Sequence, residues 1–202
     1  INTSQEDLDT LHGGKFKHHI KNGEGCNKDR RKAKQALIDD FEPISRKISE
    51  GMECEFVYVI FSSGGGTGSG AGPMLIDLIL GDIADGLLNI QNVGAITILP
   101  ALDEPIKANI NSYECFTELS PIEGLSSTII LDNSMGDKMM LNHQFVNMFC
   151  SFLDIPSKHK SDRGNIDRAE IMETLKATGM MQIIQVPAKE SKTDVLLDKF
   201  NN

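Results

Sequence analysis

Six of the nine residues from Gly64 to Gly72 are glycine, within the string Ser62-Ser63-Gly64-Gly65-Gly66-Thr67-Gly68-Ser69-Gly70-Ala71-Gly72. Each glycine weakens regular structure, so the stretch reads as a loop. Bare backbone N–H groups in such a loop, backed by a helix N-terminus, form an anion site. Thr67 and Ser69 add hydroxyl donors. The plainer alternative is a tight turn whose glycines only let a helix and a sheet pack closely. So dense a run exceeds what a turn needs, and phosphate binding is the favoured reading. The P-loop pattern G-x-x-x-x-G-K-[ST] fails, because no Lys follows the glycines. Gly66 to Ala71 fits the dinucleotide fingerprint G-x-G-x-x-A, a string of low specificity on its own.

A second constellation lies downstream, Asn165-Ile166-Asp167-Arg168-Ala169-Glu170. Spacing of three along a helix sets Asp167, Glu170 and Glu173 on one face. The same residues read as a capping box, with Ile166 and Ile171 as its hydrophobic staple; the two roles are compatible. Lys15, Lys17, Lys21, Lys28, Arg30, Arg31, Lys32 and Lys34 crowd one region, either as a solvated face or as a basic flank near phosphates. His18 and His19 have no acidic or Cys companions at ligand spacing and read as loop histidines, so no metal site is expected from a side-chain motif. The Met pairs at 139–140 and 180–181 read as core filling.

The elements around these residues alternate. A strand over 55–61 precedes the glycine run, and a helix from Pro73 to about Leu88 follows it, with Pro in its first turn. Further strands are expected at 93–100 and 127–131, with a helix over 108–119 between them. A helical stretch from Asp29 to Glu50 should divide at Pro43. Ser4 with Asp7 caps a short helix after a strand end at Ile1–Thr3. Lys138–Leu153 is helical, with Leu141, Phe145, Phe149 and Phe152 on one side. A helix near 168–178 leads to a strand over 180–186. This order predicts an α/β fold with a parallel sheet and helices on both faces. Ligands in such sheets sit at the carboxyl ends of the strands. The glycine loop, residues 102–107 and Asn133 should therefore meet in one crevice.

At 202 residues, with 40% hydrophobic and 24% charged residues, the chain has the composition of a globular protein with one full core. A net charge of −9 argues against bulk nucleic-acid binding. Four scattered cysteines without C-x-x-C spacing read as reduced thiols of a cytoplasmic protein, and no signal peptide or membrane span is expected.

Gly64-Gly65-Gly66-Thr67-Gly68-Ser69-Gly70 resembles the signature of the tubulin/FtsZ family, whose loop wraps the phosphates of GTP. Asn165-Ile166-Asp167-Arg168-Ala169-Glu170 is similar in spacing and place to that family's N-x-D-x-x-[DE] after its central helix. The resemblance covers roughly residues 1–187, and within the family Ile1–Gln5, Gly23–Asp29 and Ser62–Gly70 look most like the TubZ group. FtsZ itself would be expected to show Gly-Leu-Gly-Ala-Gly and Pro-Asn-Asp, where Gly-Glu-Gly-Cys and Leu-Asp-Asn stand here.

The resemblance implies that Ser63, Gly64, Gly65, Gly66, Thr67, Gly68 and Ser69 bind phosphate, flanked near the γ-phosphate by Gly25, Cys26 and Asn27. It implies ribose or guanine contacts at Lys107, Asn133 and Asn142, with GTP or GDP and Mg²⁺ as cofactors. Glu170 would be the main catalytic acid, with Asp167 and Asn165 positioning water or metal. The expected layout is a GTP-binding domain over 1–137, the central helix over 138–156, and the catalytic loop, a helix and the start of a second domain over 157–202. The family's first strand and first phosphate loop would lie upstream of Ile1. The implied function is GTP hydrolysis in a head-to-tail filament that segregates plasmid or phage DNA through an adaptor protein. Alternatives are an FtsZ-like division protein, an NAD-dependent oxidoreductase in which Asp82 or Asp85 reads ribose, and a non-catalytic interaction module.

Overall fold

The computed structural model describes residues 1–14, 16–22, 24–51, 54–158 and 164–185. Four strands, β1 (Phe56–Ser62), β2 (Asn92–Leu99), β3 (Leu125–Asp132) and β4 (Gly179–Met181), form a parallel sheet in the order β1-β2-β3-β4. Parallel neighbours need crossovers, and helices supply them. α4 (Thr67–Ala84) joins β1 to β2, and α5 (Ile106–Leu119) joins β2 to β3. Ahead of the sheet come α1 (Gln5–Thr10), α2 (Arg30–Asp39) and α3 (Phe41–Gly51). Between β3 and β4 run a 3-10 turn (Asn133–Met135), α6 (Lys138–Leu153), α7 (Ile155–Lys158) and α8 (Arg168–Lys176).

The pleat divides the strand residues between two layers. Val57, Val59 and Phe61 of β1, with Val93 and Ala95 of β2, meet Leu37, Ile76, Ile79 and Cys115 from α2, α4 and α5. Burial there pushes the Cys115 thiol up to about 12. On the opposite face the Tyr58 ring meets Phe149 of α6 edge-on at 5.6 Å, and Phe149 stacks on Phe145 at 5.5 Å. α8 turns the buried Ile171 and Leu175 inward on β2 and β3. Gly94 makes this layer possible: a Cβ there would lie 2.5 Å from the Tyr58 ring. The ring can cross β2 because of it, and its hydroxyl meets Ser127 on β3 at 2.6 Å.

Several sequence expectations change. The long helix starts at Thr67, six residues before Pro73, so Gly68, Gly70 and Gly72 are helical. Close packing overrides their poor propensity. A Cβ on Gly68 would stand 2.4 Å from the Ser62 carbonyl oxygen, one on Gly70 2.4 Å from that of Arg30, and one on Gly72 2.6 Å from the Phe61 ring. The break between α2 and α3 falls at Asp40, leaving Pro43 harmlessly in the first turn of α3. Met139, Met140 and Met180 are exposed rather than core residues. Residues 179–181, expected to open a second domain, pair with Ser127–Ile129 as an edge strand of the same sheet. The remainder of that expected domain, from 186 on, lies outside the described residues, as do Lys15, Gly23 and 159–163.

Candidate functional site

The glycine loop closes β1 and opens α4. Ser63, fully buried, donates its backbone N–H to the Ile98 carbonyl at 2.9 Å and its hydroxyl to the same oxygen at 3.0 Å; the hydroxyl also meets that of Ser112 at 2.8 Å. Asn111 of α5 sits behind the loop with no exposed surface, and its amide donates to the carbonyls of Gly64 (3.4 Å), Gly65 (3.2 Å) and Lys28 (3.1 Å). In a trans peptide the C=O and the following N–H point in opposite directions. Holding the Gly64 and Gly65 carbonyls therefore aims the N–H groups of Gly65 and Gly66 away from Asn111. Gly66 caps α4 without a side-chain hydrogen bond, so no side chain competes for the first N–H groups of the helix. A Cβ on Gly65 would meet nothing within 4 Å. Thr67 shares a 2.6 Å hydroxyl contact with Thr3, and the buried Ser69 donates its hydroxyl to the Gly65 carbonyl. Ser63, expected to bind phosphate, thus has both its N–H and its hydroxyl taken by β2 and α5 and braces the loop instead. The Ser69 hydroxyl is committed within the loop, leaving its backbone N–H as what that position offers an anion.

Residues 24–28 lie against the glycine loop: a Cβ on Gly66 would stand 2.8 Å from the Lys28 backbone nitrogen. Glu24, Gly25, Asn27 and Lys28 all have positive φ, at 40°, 67°, 42° and 59°. Three non-glycine residues in that region mark a segment held by its surroundings. The Gly25 N–H donates to the Thr3 carbonyl at 3.0 Å, and Asp29 N–H to that of Cys26 at 2.7 Å. Cys26 is buried, its thiol 3.6 Å from the Thr3 hydroxyl, so it presents no side chain to a ligand.

Glu104, in the loop after β2, gathers the remaining pieces. It faces Lys28 at 3.9 Å and Lys138, at the head of α6, at 3.4 Å. Pro100 and Ala108 crowd Gly64, whose Cβ would come within 3.0 Å and 3.3 Å of theirs. The loops after β1, β2 and β3 therefore converge. Asn133, half-buried, follows β3 directly at this end of the sheet. Asn142 is exposed in the second turn of α6, and Lys107 is exposed in the first turn of α5. Lys107 lines a cleft of about 510 Å³ with Arg30, Arg31, Lys34 and Tyr113. Asp82 lies 15 residues along α4 from Thr67, about 22 Å at helical rise, and its carboxylate receives the Ser45 hydroxyl. Neither it nor Asp85 can read a ribose held at the glycine loop.

The acidic constellation lies elsewhere. Asp167 and Glu170 form a reciprocal capping box at the start of α8, each carboxylate accepting the other residue's backbone N–H at 2.9 Å. Asn165, Asp167 and Glu170 are exposed. Their neighbour Arg168 faces Glu55 at 3.5 Å, just ahead of β1. The glycine loop begins just beyond the other end of that seven-residue strand, about 23 Å away at 3.3 Å per residue. α6 makes the return trip, from the end of β3 to the contact of Phe149 with Tyr58 near the start of β1. Loop and acids stand at opposite ends of the sheet.

Asn111 does not stand out in the sequence, and Arg30 stands there only as one of a basic cluster, not as the buried residue it is, though a signal for both was present. Asn111 falls on the buried stripe Ala108, Ser112, Cys115 and Leu119, and Arg30 on the stripe Ala33 and Leu37. A polar residue on a stripe that must be buried needs a partner.

No family profile matches the chain. It is 31% identical over 195 residues to the tubulin-like protein TubZ of Clostridium botulinum C phage, matching 94% of this chain and 52% of TubZ. The solved structure of TubZ from C. botulinum phage c-st, truncated at its C-terminal tail, superposes with a TM-score of 0.74 at 28% identity, covering 89% of this chain and 57% of that one. CetZ2 from Haloferax volcanii, solved as a GTPγS-bound protofilament, shares the fold at a TM-score of 0.69 and 22% identity, over 89% of this chain and 53% of its own. The chain thus spans about half the length of the relatives it matches. Over that span, sequence and parallel-sheet architecture agree, and the chain belongs to the tubulin/FtsZ family of tubulin-like proteins.

Proposed function

We propose that this chain binds and hydrolyses GTP as the nucleotide-binding part of a filament-forming protein, each site being completed by the next subunit. The observation that carries the reading is the placement of the two motifs at opposite ends of the sheet. One copy cannot bring Glu170 to its own glycine loop, whereas head-to-tail stacking sets the foot of one copy on the crown of the next. The backbone N–H groups of residues 64–69 would hold the phosphates, with Gly25, Cys26 and Asn27 beside the terminal one. Lys107, Asn133 and Asn142 would contact ribose and guanine. From the neighbouring copy Glu170 would act on the attacking water, with Asp167 and Asn165 orienting it.

No group of three or more His, Cys, Asp or Glu among the described residues could hold a metal ion. Mg²⁺ would therefore be carried by the phosphates, where it neutralises their charge. An apolar groove of about 410 Å³ beside β1, lined by Ile20, Leu37, Val59 and Ile79, has the lining for the further strand that the family resemblance implies. We read the biological task as segregation of plasmid or phage DNA in the cytoplasm. DNA would be engaged through an adaptor, since a chain of net charge −9 has little affinity for it.

The test is GTP hydrolysis against protein concentration, beside Glu170→Gln. A specific rate that rises above a threshold concentration and falls at least a hundredfold in the variant is expected for a general base supplied across an interface. A rate proportional to concentration throughout, or one indifferent to the substitution, would overturn it.

A further inference from the structure

We propose that Arg30 is a positioning residue for the glycine loop, its guanidinium standing in for the peptide N–H that Pro73 removes from α4; the nucleotide part of this inference rests on the function proposed above. In an α-helix the carbonyl of Ser69 would accept from the N–H of residue 73. That residue is proline and has none. Ser69 is fully buried, so water does not satisfy the orphaned oxygen, and a buried unpaired carbonyl is costly.

Arg30 fills the gap from α2. Its Nη2 donates to the Ser69 carbonyl at 3.1 Å and its Nε at 3.3 Å. The residue is only 6% exposed. Its charge is met by Glu114 at 2.8 Å and Glu118 at 2.5 Å, both on α5, and Lys34 holds the other oxygen of Glu118 at 2.5 Å. A buried guanidinium is tolerated only when paired in this way, and the contacts fix its plane. The main chain adds to the grip, because Gly70 lets the Arg30 carbonyl approach to within 2.4 Å of where a Cβ would stand. The first turn of α4, which presents its uncapped N–H groups to the loop, is thus braced by α2 and α5 where its own ladder is broken. Lysine carries its three donors on one nitrogen and cannot span the positions that Nε, Nη1 and Nη2 of Arg30 reach separately.

The test is a cycle of Arg30→Met, Pro73→Ala and the double variant, read by amide hydrogen exchange over 67–72 and by affinity for fluorescent mant-GDP. Arg30→Met should speed exchange in that segment and weaken mant-GDP binding by about tenfold each, the size of one hydrogen bond from a charged donor. Pro73→Ala alone should change neither. The double variant, in which residue 73 again donates to Ser69, should recover most of both losses, and it also keeps the helix intact if Arg30→Met by itself folds poorly. Arg30→Lys should behave like Arg30→Met. A double variant as impaired as Arg30→Met, or unchanged exchange in Arg30→Met, would overturn the proposal. Exchange that follows the cycle in a chain that binds no mant-GDP would uphold the brace and reject the nucleotide reading instead.

Discussion

The glycine run contains residues of two kinds, and their neighbours tell them apart. Gly66, Gly68, Gly70 and Gly72 are glycine because backbone or an aromatic ring occupies the space where a Cβ would sit. Packing was therefore a sound explanation for much of the run's density. Gly65 is different: a Cβ there enters open space, on a loop whose carbonyls Asn111 and Ser69 hold inward. Gly68→Ala should destabilise the fold by about 1–3 kcal/mol, since the Ser62 carbonyl cannot yield as a flexible side chain could. Gly65→Ala should leave the melting temperature nearly unchanged while weakening GTP binding, because its methyl group stands where the phosphates would lie. Thermal melts beside mant-GTP titrations check both; a Gly65→Ala chain that binds nucleotide normally would place the phosphates elsewhere.

At the scale of elements, α2 and α5 are joined through the Arg30, Lys34, Glu114 and Glu118 cluster, and this joint is sensitive to acid. Burial pushes the Glu118 carboxyl up, but hydrogen bonds from Lys34 and Arg30 outweigh it and hold the group below its ordinary value of 4.5. A depressed carboxyl stabilises the fold above its unfolded value, and that contribution is lost as pH falls through the lower folded value. The melting temperature should therefore drop as pH falls below about 4.5, and should drop less steeply in Glu118→Gln; parallel curves for the two chains would deny the joint this role.

The helices and strands on either side of the joint were legible in the sequence. Period-2 and period-3.6 patterns located β1, β2, β3, α5, α6 and α8, because each buries a face of its own. What the pattern could not show depended on a neighbour. Helix α4 begins inside the glycines because α2 and β1 press on them. The break at Asp40 follows its bonds to the buried His18 (2.7 Å) and to the Lys21 N–H (3.2 Å), not Pro43. Arg30 differs from Arg31 only in sharing the buried stripe of Ala33 and Leu37, and that stripe does not say which carbonyl or carboxylates it meets.

For the whole molecule, the decisive geometry is the length of the sheet between the two motifs. The glycine loop lies beyond the carboxyl end of β1, and the α8 cap lies beside its amino end, where Arg168 meets Glu55. If hydrolysis needs both, each catalytic unit is an interface and not a subunit. That separates two kinds of defect. A chain with a damaged glycine loop still offers Glu170 to its neighbour, and a Glu170→Gln chain still offers an intact loop. Mixed in equal amounts and free to stack in any order, about a quarter of the interfaces would join an intact loop to an intact Glu170. At GTP concentrations too low to fill the weakened Gly65→Ala site, a mixture of Gly65→Ala and Glu170→Gln should therefore recover about a quarter of the wild-type GTPase rate, well above either variant alone. Sites complete within one chain would gain nothing from mixing, because each copy would carry its own defect unchanged. Dilution gives the internal control: recovered activity should vanish below the concentration at which filaments form, as the interface that creates it comes apart.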